Sequence, residues 1–118
     1  MSLPRGRGQT YADSAASGGR ALLIWSNASA SKTVALPGAA TGLTVWAKGD
    51  QCNGAPRMKV SVDGKTILTA YVTSTSWAPY SALVAVAAGT HVVKLTFDND
   101  YYRSCDRNLR ADRLAFSN

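Results

Sequence analysis

From residue 20 onward the chain alternates. Leu43, Val45 and Ala47 alternate with Thr44, Trp46 and Lys48, and Met58, Val60 and Val62 alternate with Arg57, Lys59 and Ser61. Val93, Leu95 and Phe97 enclose Lys94 and Thr96 in the same way. A period of two sends successive side chains to opposite faces, so each run predicts a strand buried on one side. Asp63-Gly64 stands between two such runs and predicts a tight hairpin, because Gly accepts the positive φ the turn demands. Leu36-Pro37-Gly38 and Ala88-Gly89 punctuate other runs. Strands are expected near 20–26, 31–36, 42–48, 57–63, 65–73, 80–87, 90–98 and 108–116. No segment carries a 3.6-residue apolar stripe. Asp13 has the chemistry of a helix cap, but Gly18-Gly19 follows too soon for a helix to run. Short strands with turn signals at this spacing predict an all-β fold, an antiparallel β-sandwich of jelly-roll type.

Length and composition narrow the class. A chain of 118 residues has room for one core, and it divides into a linker at 1–9 and a sandwich domain at 10–118. No apolar run reaches the ~20 residues a membrane-spanning helix needs, so no membrane partner is expected. The N-terminal Met1-Ser2-Leu3-Pro4-Arg5-Gly6-Arg7-Gly8 lacks the apolar stretch of a signal peptide and reads as a linker to a larger parent chain. Cys52 and Cys105 lie in sequence rich in Gly, Asn, Asp and Ser, where a disulfide is expected rather than a buried thiol. A bridge across so long a loop stabilises by up to about 4 kcal/mol in the chain-entropy account. It also implies an oxidising, extracellular location. Two cysteines and one histidine do not make an ordinary four-ligand zinc site.

The acids carry the chemistry. All seven are Asp, against thirteen Lys and Arg. Four of them fall in two loops that interrupt the alternation, Lys48 to Pro56 and Asp98 to Asn108, and each loop holds one cysteine. A bridge between the loops would bring Asp50 beside Asp100 and Asp106. Carboxylates gathered at one spot repel unless a cation or protons neutralise them. Oxygen donors without His or thiolate favour a hard ion, and irregular loops suit calcium, which takes about six to eight oxygens. Positions left open on such an ion can take vicinal sugar hydroxyls. Spacing alone leaves a second reading open, in which these acids are solvated or paired with Arg103, Arg107 and Arg110.

Two runs of residues bear on that choice. Gly49-Asp50-Gln51-Cys52-Asn53-Gly54-Ala55-Pro56-Arg57-Met58 followed by Val60-Ser61-Val62-Asp63-Gly64, and Phe97-Asp98-Asn99-Asp100 followed by Cys105-Asp106-Arg107-Asn108-Leu109 and Asp112, resemble carbohydrate-binding module family 60. That family is related by circular permutation to the family 36 modules, and the likeness runs from about Thr10 to Phe116. The resemblance implies a jelly roll that binds xylan through a calcium ion contacting two sugar hydroxyls. It makes Asp50, Asp100 and Asp106 the side-chain ligands of that ion, and Trp77 the aromatic wall on which a sugar face stacks. Tyr101 and Tyr102 sit in the ion loop, one expected to line the site and the other to pack. Asn99 and Gln51 of the quoted motifs are further ligand-binding candidates. Related jelly rolls hold a second, structural calcium, for which Asp13 and Asp112 are the candidates, although the paired Glu residues are missing. Trp25 and Trp46 are expected in the core or on a sheet face, and His91 at the surface or in packing.

The expected partner is therefore a polysaccharide, xylan first, with galactan or β-glucan as other possibilities. The chain is expected to be a non-catalytic monomer tethered to a secreted bacterial glycoside hydrolase or esterase. Three rivals stand beside this reading. Glycoside hydrolysis needs two carboxylates about 5 to 9.5 Å apart, one with a raised pKa, in a cleft this small sandwich hardly offers. Nucleic-acid binding draws on the net charge of +6 and on Arg103, Arg107, Arg110 and Arg113, but acids interleave that group. A purely structural or adhesive sandwich would need neither ion nor sugar.

Overall fold

The protein is described by a computed structural model over residues 6–14 and 16–117. Its strands are β1 (Gly8–Ala12), β2 (Arg20–Ile24), β3 (Ala28–Leu36), β4 (Ala40–Asp50), β5 (Arg57–Val62), β6 (Lys65–Tyr71), β7 (Ala78–Val86), β8 (Gly89–Phe97), β9 (Tyr101–Tyr102) and β10 (Asp106–Ser117). They form two antiparallel sheets. The larger runs β1-β2-β10-β4-β7 with β9 added to β10, and the smaller runs β3-β8-β5-β6. All eight expected strands are present, most with ends moved by one to three residues. The architecture is the antiparallel β-sandwich that the alternation predicts.

Two strands escape the pattern. β1 carries Gly-Gln-Thr-Tyr-Ala with no alternation of burial, because as an edge strand it touches the core little. It opens at Gly8, inside the segment read as linker, while residues 1–5 of that segment lie outside the described residues. β9 is a two-residue strand inside the second cysteine loop. Where Asp13 suggested a helix cap, Asp13 N donates to Gly19 O and the chain makes a single 3-10 turn, with Gly18 and Gly19 both at positive φ.

The period-two readings translate directly into burial. Leu43, Val45 and Ala47 of β4 face inward and meet Met58, Val60 and Val62 of β5 and Val93, Leu95 and Phe97 of β8. Removing side chains of this kind from water contributes about 1.5–3 kcal/mol each. The β5–β6 hairpin turns on Asp63 and Gly64, both at positive φ as a two-residue hairpin requires. Asp63 also ties the turn to β8: its carboxylate accepts from Val92 N at 2.8 Å and contacts His91 Nδ1 at 2.6 Å.

One glycine fixes where β4 meets the first cysteine loop. A Cβ on Gly49 would lie 2.5 Å from Val72 O and 2.7 Å from the Pro56 ring. The strand is clamped there by Gly49 N donating to Ser74 O at 2.9 Å. Gly49→Ala should destabilise the protein by about 1–3 kcal/mol through overpacking, read as a lower urea midpoint at unchanged slope. His91 supplies a pH test. Hydrogen bonding to Asp63, then to the Ala87 carbonyl, raises its pKa above the usual 6.5. A raised pKa contributes stability that is complete below 6.5 and disappears as pH rises through the folded value. His91→Gln should therefore lower the melting temperature more at pH 5.5 than at pH 8.5, and equal shifts at both would remove the ion pair from the account.

Candidate functional site

The disulfide joins Cys52 to Cys105, with Cα atoms 5.7 Å apart across 53 positions of sequence. It fastens the loop after β4 to the loop before β10, as the composition of both loops predicts. Arg107 reinforces it. Its guanidinium donates to Cys52 O at 3.1 Å, Asn53 O at 2.7 Å and Asn99 O at 2.7 Å, so one side chain holds three carbonyls from both loops. Gly54 leaves space for it, since a Cβ there would stand 3.1 Å from the guanidinium. Asn99 adds a third tie, its amide oxygen accepting from Arg57 N at 2.7 Å and its amide nitrogen donating to Ala55 O at 3.0 Å. Asn27 reaches from the β2–β3 connection to accept from Asp100 N at 2.8 Å.

Within this frame the acids fall into two groups. Asp50 is fully engaged. Its carboxylate takes the Arg110 fork at 3.0 and 2.9 Å, and the Asn108 amide nitrogen at 3.0 Å. Burial opposes its charge, yet hydrogen bonds from Arg110 and Asn108, together with the charges of Arg110 and Lys48, hold its carboxyl below the usual range. Asp98 is paired likewise with Arg57 at 2.7 Å and Lys59 at 3.0 Å.

Asp100 and Asp106 are different. Each has one carboxylate oxygen buried without a hydrogen-bond partner, and so does the amide oxygen of Asn108. Burial, then the charge of Asp106, pushes the Asp100 carboxyl up. Buried oxygens without donors are costly, and these three lie together in sequence, at the second cysteine loop and the start of β10, as one set of acceptors. Asn108 was not foreseen as part of it. The signal was available, because Asp106 and Asn108 are two apart on β10 and therefore share a face. Asn108 also sits directly opposite Asp50 in the β10–β4 register. Its amide nitrogen goes to Asp50, which leaves its oxygen for the set. Among the described residues no three His, Cys, Asp or Glu side chains form a metal-binding group; the set here is two carboxylates and an amide.

The aromatic candidates divide as well. Tyr102 lies opposite Asp106 in the β9–β10 pair and is 74% exposed, whereas Tyr101 is half-buried with the Arg107 guanidinium 5.2 Å from its ring centre. Trp77 is half-buried, with Lys48 Nζ 4.6 Å from its ring centre and a buried indole nitrogen that has no partner. Gln51 tethers the loop that carries it by donating to Val72 O and Thr73 O, both at 3.1 Å. Gln51 and Asn99 thus have structural hydrogen bonds at the positions where they were candidates for ligand contact. Asp13 pairs with Lys48 at 3.2 Å and accepts from Tyr11 at 3.4 Å. Asp112 lies at a bulge of β10, and β2 separates that strand from β1.

Comparison with known proteins gives the family and the fold. A family profile described as the Ca-dependent, xylan-binding carbohydrate-binding module family 60 matches residues 42–118. No curated protein matches the chain. Among solved structures, it is similar to the family 36 module of a multidomain xylanase from the hindgut metagenome of Trinervitermes trinervoides. The TM-score is 0.78 at 18% identity, covering 100% of this chain and 90% of that one. A family 36 module in complex with calcium and xylotriose matches with TM-score 0.74 at 16% identity, covering 99% and 93%. A β-1,3-glucan binding family 6 module from Bacillus halodurans matches with TM-score 0.69 at 16% identity, covering 99% and 89%.

The electrostatics of the acid pair can be tested directly. An acid whose folded pKa lies above its unfolded one loses stability as pH rises through that window, so the Asp100 charge opposes folding at neutral pH. Asp100→Asn should raise the melting temperature in chelating buffer at pH 7. A variant that melts below the wild type would contradict repulsion between Asp100 and Asp106.

Proposed function

The chain belongs to carbohydrate-binding module family 60, the calcium-dependent xylan-binding modules, and from that premise we propose that Asp100, Asp106 and the amide oxygen of Asn108 hold the calcium ion through which it binds polysaccharide. The observation that carries the assignment is the three buried oxygens without donors. A hard cation among them would remove the desolvation penalty and the repulsion between Asp100 and Asp106. Calcium takes six to eight oxygens, so a set of three leaves room for carbonyls, water and a pair of sugar hydroxyls. Bound there, the ion supplies direction and selectivity for a vicinal diol.

The chain's own residues do the rest. Asp50, expected as a ligand, acts in this reading from behind: fixed by the Arg110 fork, it holds the Asn108 amide nitrogen and so turns the amide oxygen toward the ion. The Cys52–Cys105 bridge and Arg107 keep Asp100 and Asp106 from relaxing apart. Tyr102, opposite Asp106, and Trp77, beside Lys48, offer apolar ring surface to a sugar face. Xylan is the first expected ligand. The module carries out no chemistry of its own and delivers an appended, secreted carbohydrate-active enzyme to its substrate. The family and the similar module within a multidomain xylanase support that role.

Affinity electrophoresis through soluble xylan tests the proposal. The wild type should be retarded with calcium, migrate freely in EDTA and be retarded again once calcium is in excess. Asp106→Ala should weaken retardation at least about 100-fold, as expected when a ligand of a bound ion is lost, while circular dichroism shows the fold intact. Undiminished retardation in EDTA, or in a folded Asp106→Ala variant, rejects the ion site.

A further inference from the structure

We propose that Arg113, held over the Trp46 ring, is a subsite for the carboxylate of a uronate group on the bound polysaccharide. The inference rests on the reading above and extends it to the acidic decorations of the ligand. It begins with β10. Asp106, Asn108 and Arg110 alternate onto the outer face of the larger sheet, and a strict period of two would put Asp112 next. The register instead shifts between Ala111 and Arg113, so that Arg113, not Asp112, lies opposite Trp46. A bulge of this kind re-aims one side chain. Here it replaces an acid by an arginine on the face that carries the ion site.

That arginine is presented, not neutralised. Its guanidinium lies 3.8 Å from the centre of the Trp46 ring and its side chain is exposed. The neighbouring cations of the same face are already answered, Lys48 by Asp13 and Arg110 by Asp50. Arg113 makes no ion pair among the described residues. Stacking on an indole fixes the guanidinium plane and leaves its N–H edge free, which suits a bidentate carboxylate. The rows Asp50–Asn108, Lys48–Arg110 and Trp46–Arg113 follow one another along the strands. At about 7 Å per two residues, Arg113 stands roughly 14 Å from the Asp50–Asn108 row. A polysaccharide seated on the ion and lying along these rows would bring a side group over Arg113 a few sugars away.

Calorimetric titration with glucuronoxylan and with the same polymer after carboxyl reduction tests this, in calcium at low salt. The acidic polymer should bind about fivefold more tightly, the size expected of one exposed charge-assisted contact, and high salt should shrink the ratio. Arg113→Gln should bring the ratio to one and leave affinity for the reduced polymer unchanged, which also shows that the variant is folded. Arg113→Lys should retain only part of the preference, since it keeps the charge and loses the fork. Equal affinities in the wild type, or an undiminished ratio in Arg113→Gln, overturn the subsite while leaving the calcium site standing. Failure of both polymers to bind overturns the calcium reading with it. Salt-dependent binding of single-stranded DNA that competes with glucuronoxylan and loses strength in Arg113→Gln would assign the arginine to phosphate and overturn the uronate reading.

Discussion

The tie between the two cysteine loops is the constraint on which the site depends. The Cys52–Cys105 bridge would by itself be a hinge about one bond. Arg107 converts it into a rigid joint, because a planar guanidinium bound to Cys52, Asn53 and Asn99 carbonyls fixes orientation as well as distance. Hydrogen bonds from a charged donor contribute about 1.5–3 kcal/mol each, more than loop residues ordinarily gain from packing. Asn99 then binds the same joint to β5 through Arg57 N. Asn99 and Gln51, candidates for ligand contact from sequence, also fasten this scaffold by hydrogen bonds.

That scaffold holds a local electrostatic conflict. Asp13, Asp50, Asp63 and Asp98 each have a basic partner, and the hydrogen bonds and charges around Asp50, Asp63 and Asp98 lower their pKa values. Asp100 and Asp106 have buried oxygens with no donor, in a chain that carries +6 overall. A protein with so many Lys and Arg has the means to pair every acid. Leaving a buried oxygen of each of these two acids without a donor lowers stability, and such local violations concentrate at functional sites. The neighbouring cations are engaged by contacts of their own, Arg107 by carbonyls, Arg110 by Asp50 and Lys48 by Asp13, and the Arg107 charge offsets only part of the rise at Asp100.

The outer face of the larger sheet shows a related economy of aromatics and cations. Lys48, Arg110 and Arg113 are each placed over a ring, that of Trp77, Tyr11 and Trp46 respectively. Stacking keeps long basic side chains extended along the sheet. The result is a face on which polar edges and apolar rings alternate, beside the buried acceptor oxygens of Asp100, Asp106 and Asn108.

Period-two alternation by itself determined the eight main strands and their buried faces, because burial of one sheet face requires that spacing whatever the topology. Loop composition determined the disulfide, and the gathering of acids around it pointed to the site. The edge strand β1 was not legible, since a strand that hardly touches the core has no reason to alternate. Nor could sequence separate Asp50 from Asp100 and Asp106, because all three are loop or strand-end aspartates near a cysteine. Only the fold decided that Arg110 reaches Asp50 along the β4–β10 ladder while Asp100 and Asp106 each keep one buried carboxylate oxygen without a donor. The β10 bulge likewise decided that Arg113 and not Asp112 stands on Trp46. Spacing settles what a strand buries; partners and register, set by contacts some sixty residues apart in sequence, settle which acids pair with a base and which keep a buried oxygen without a donor.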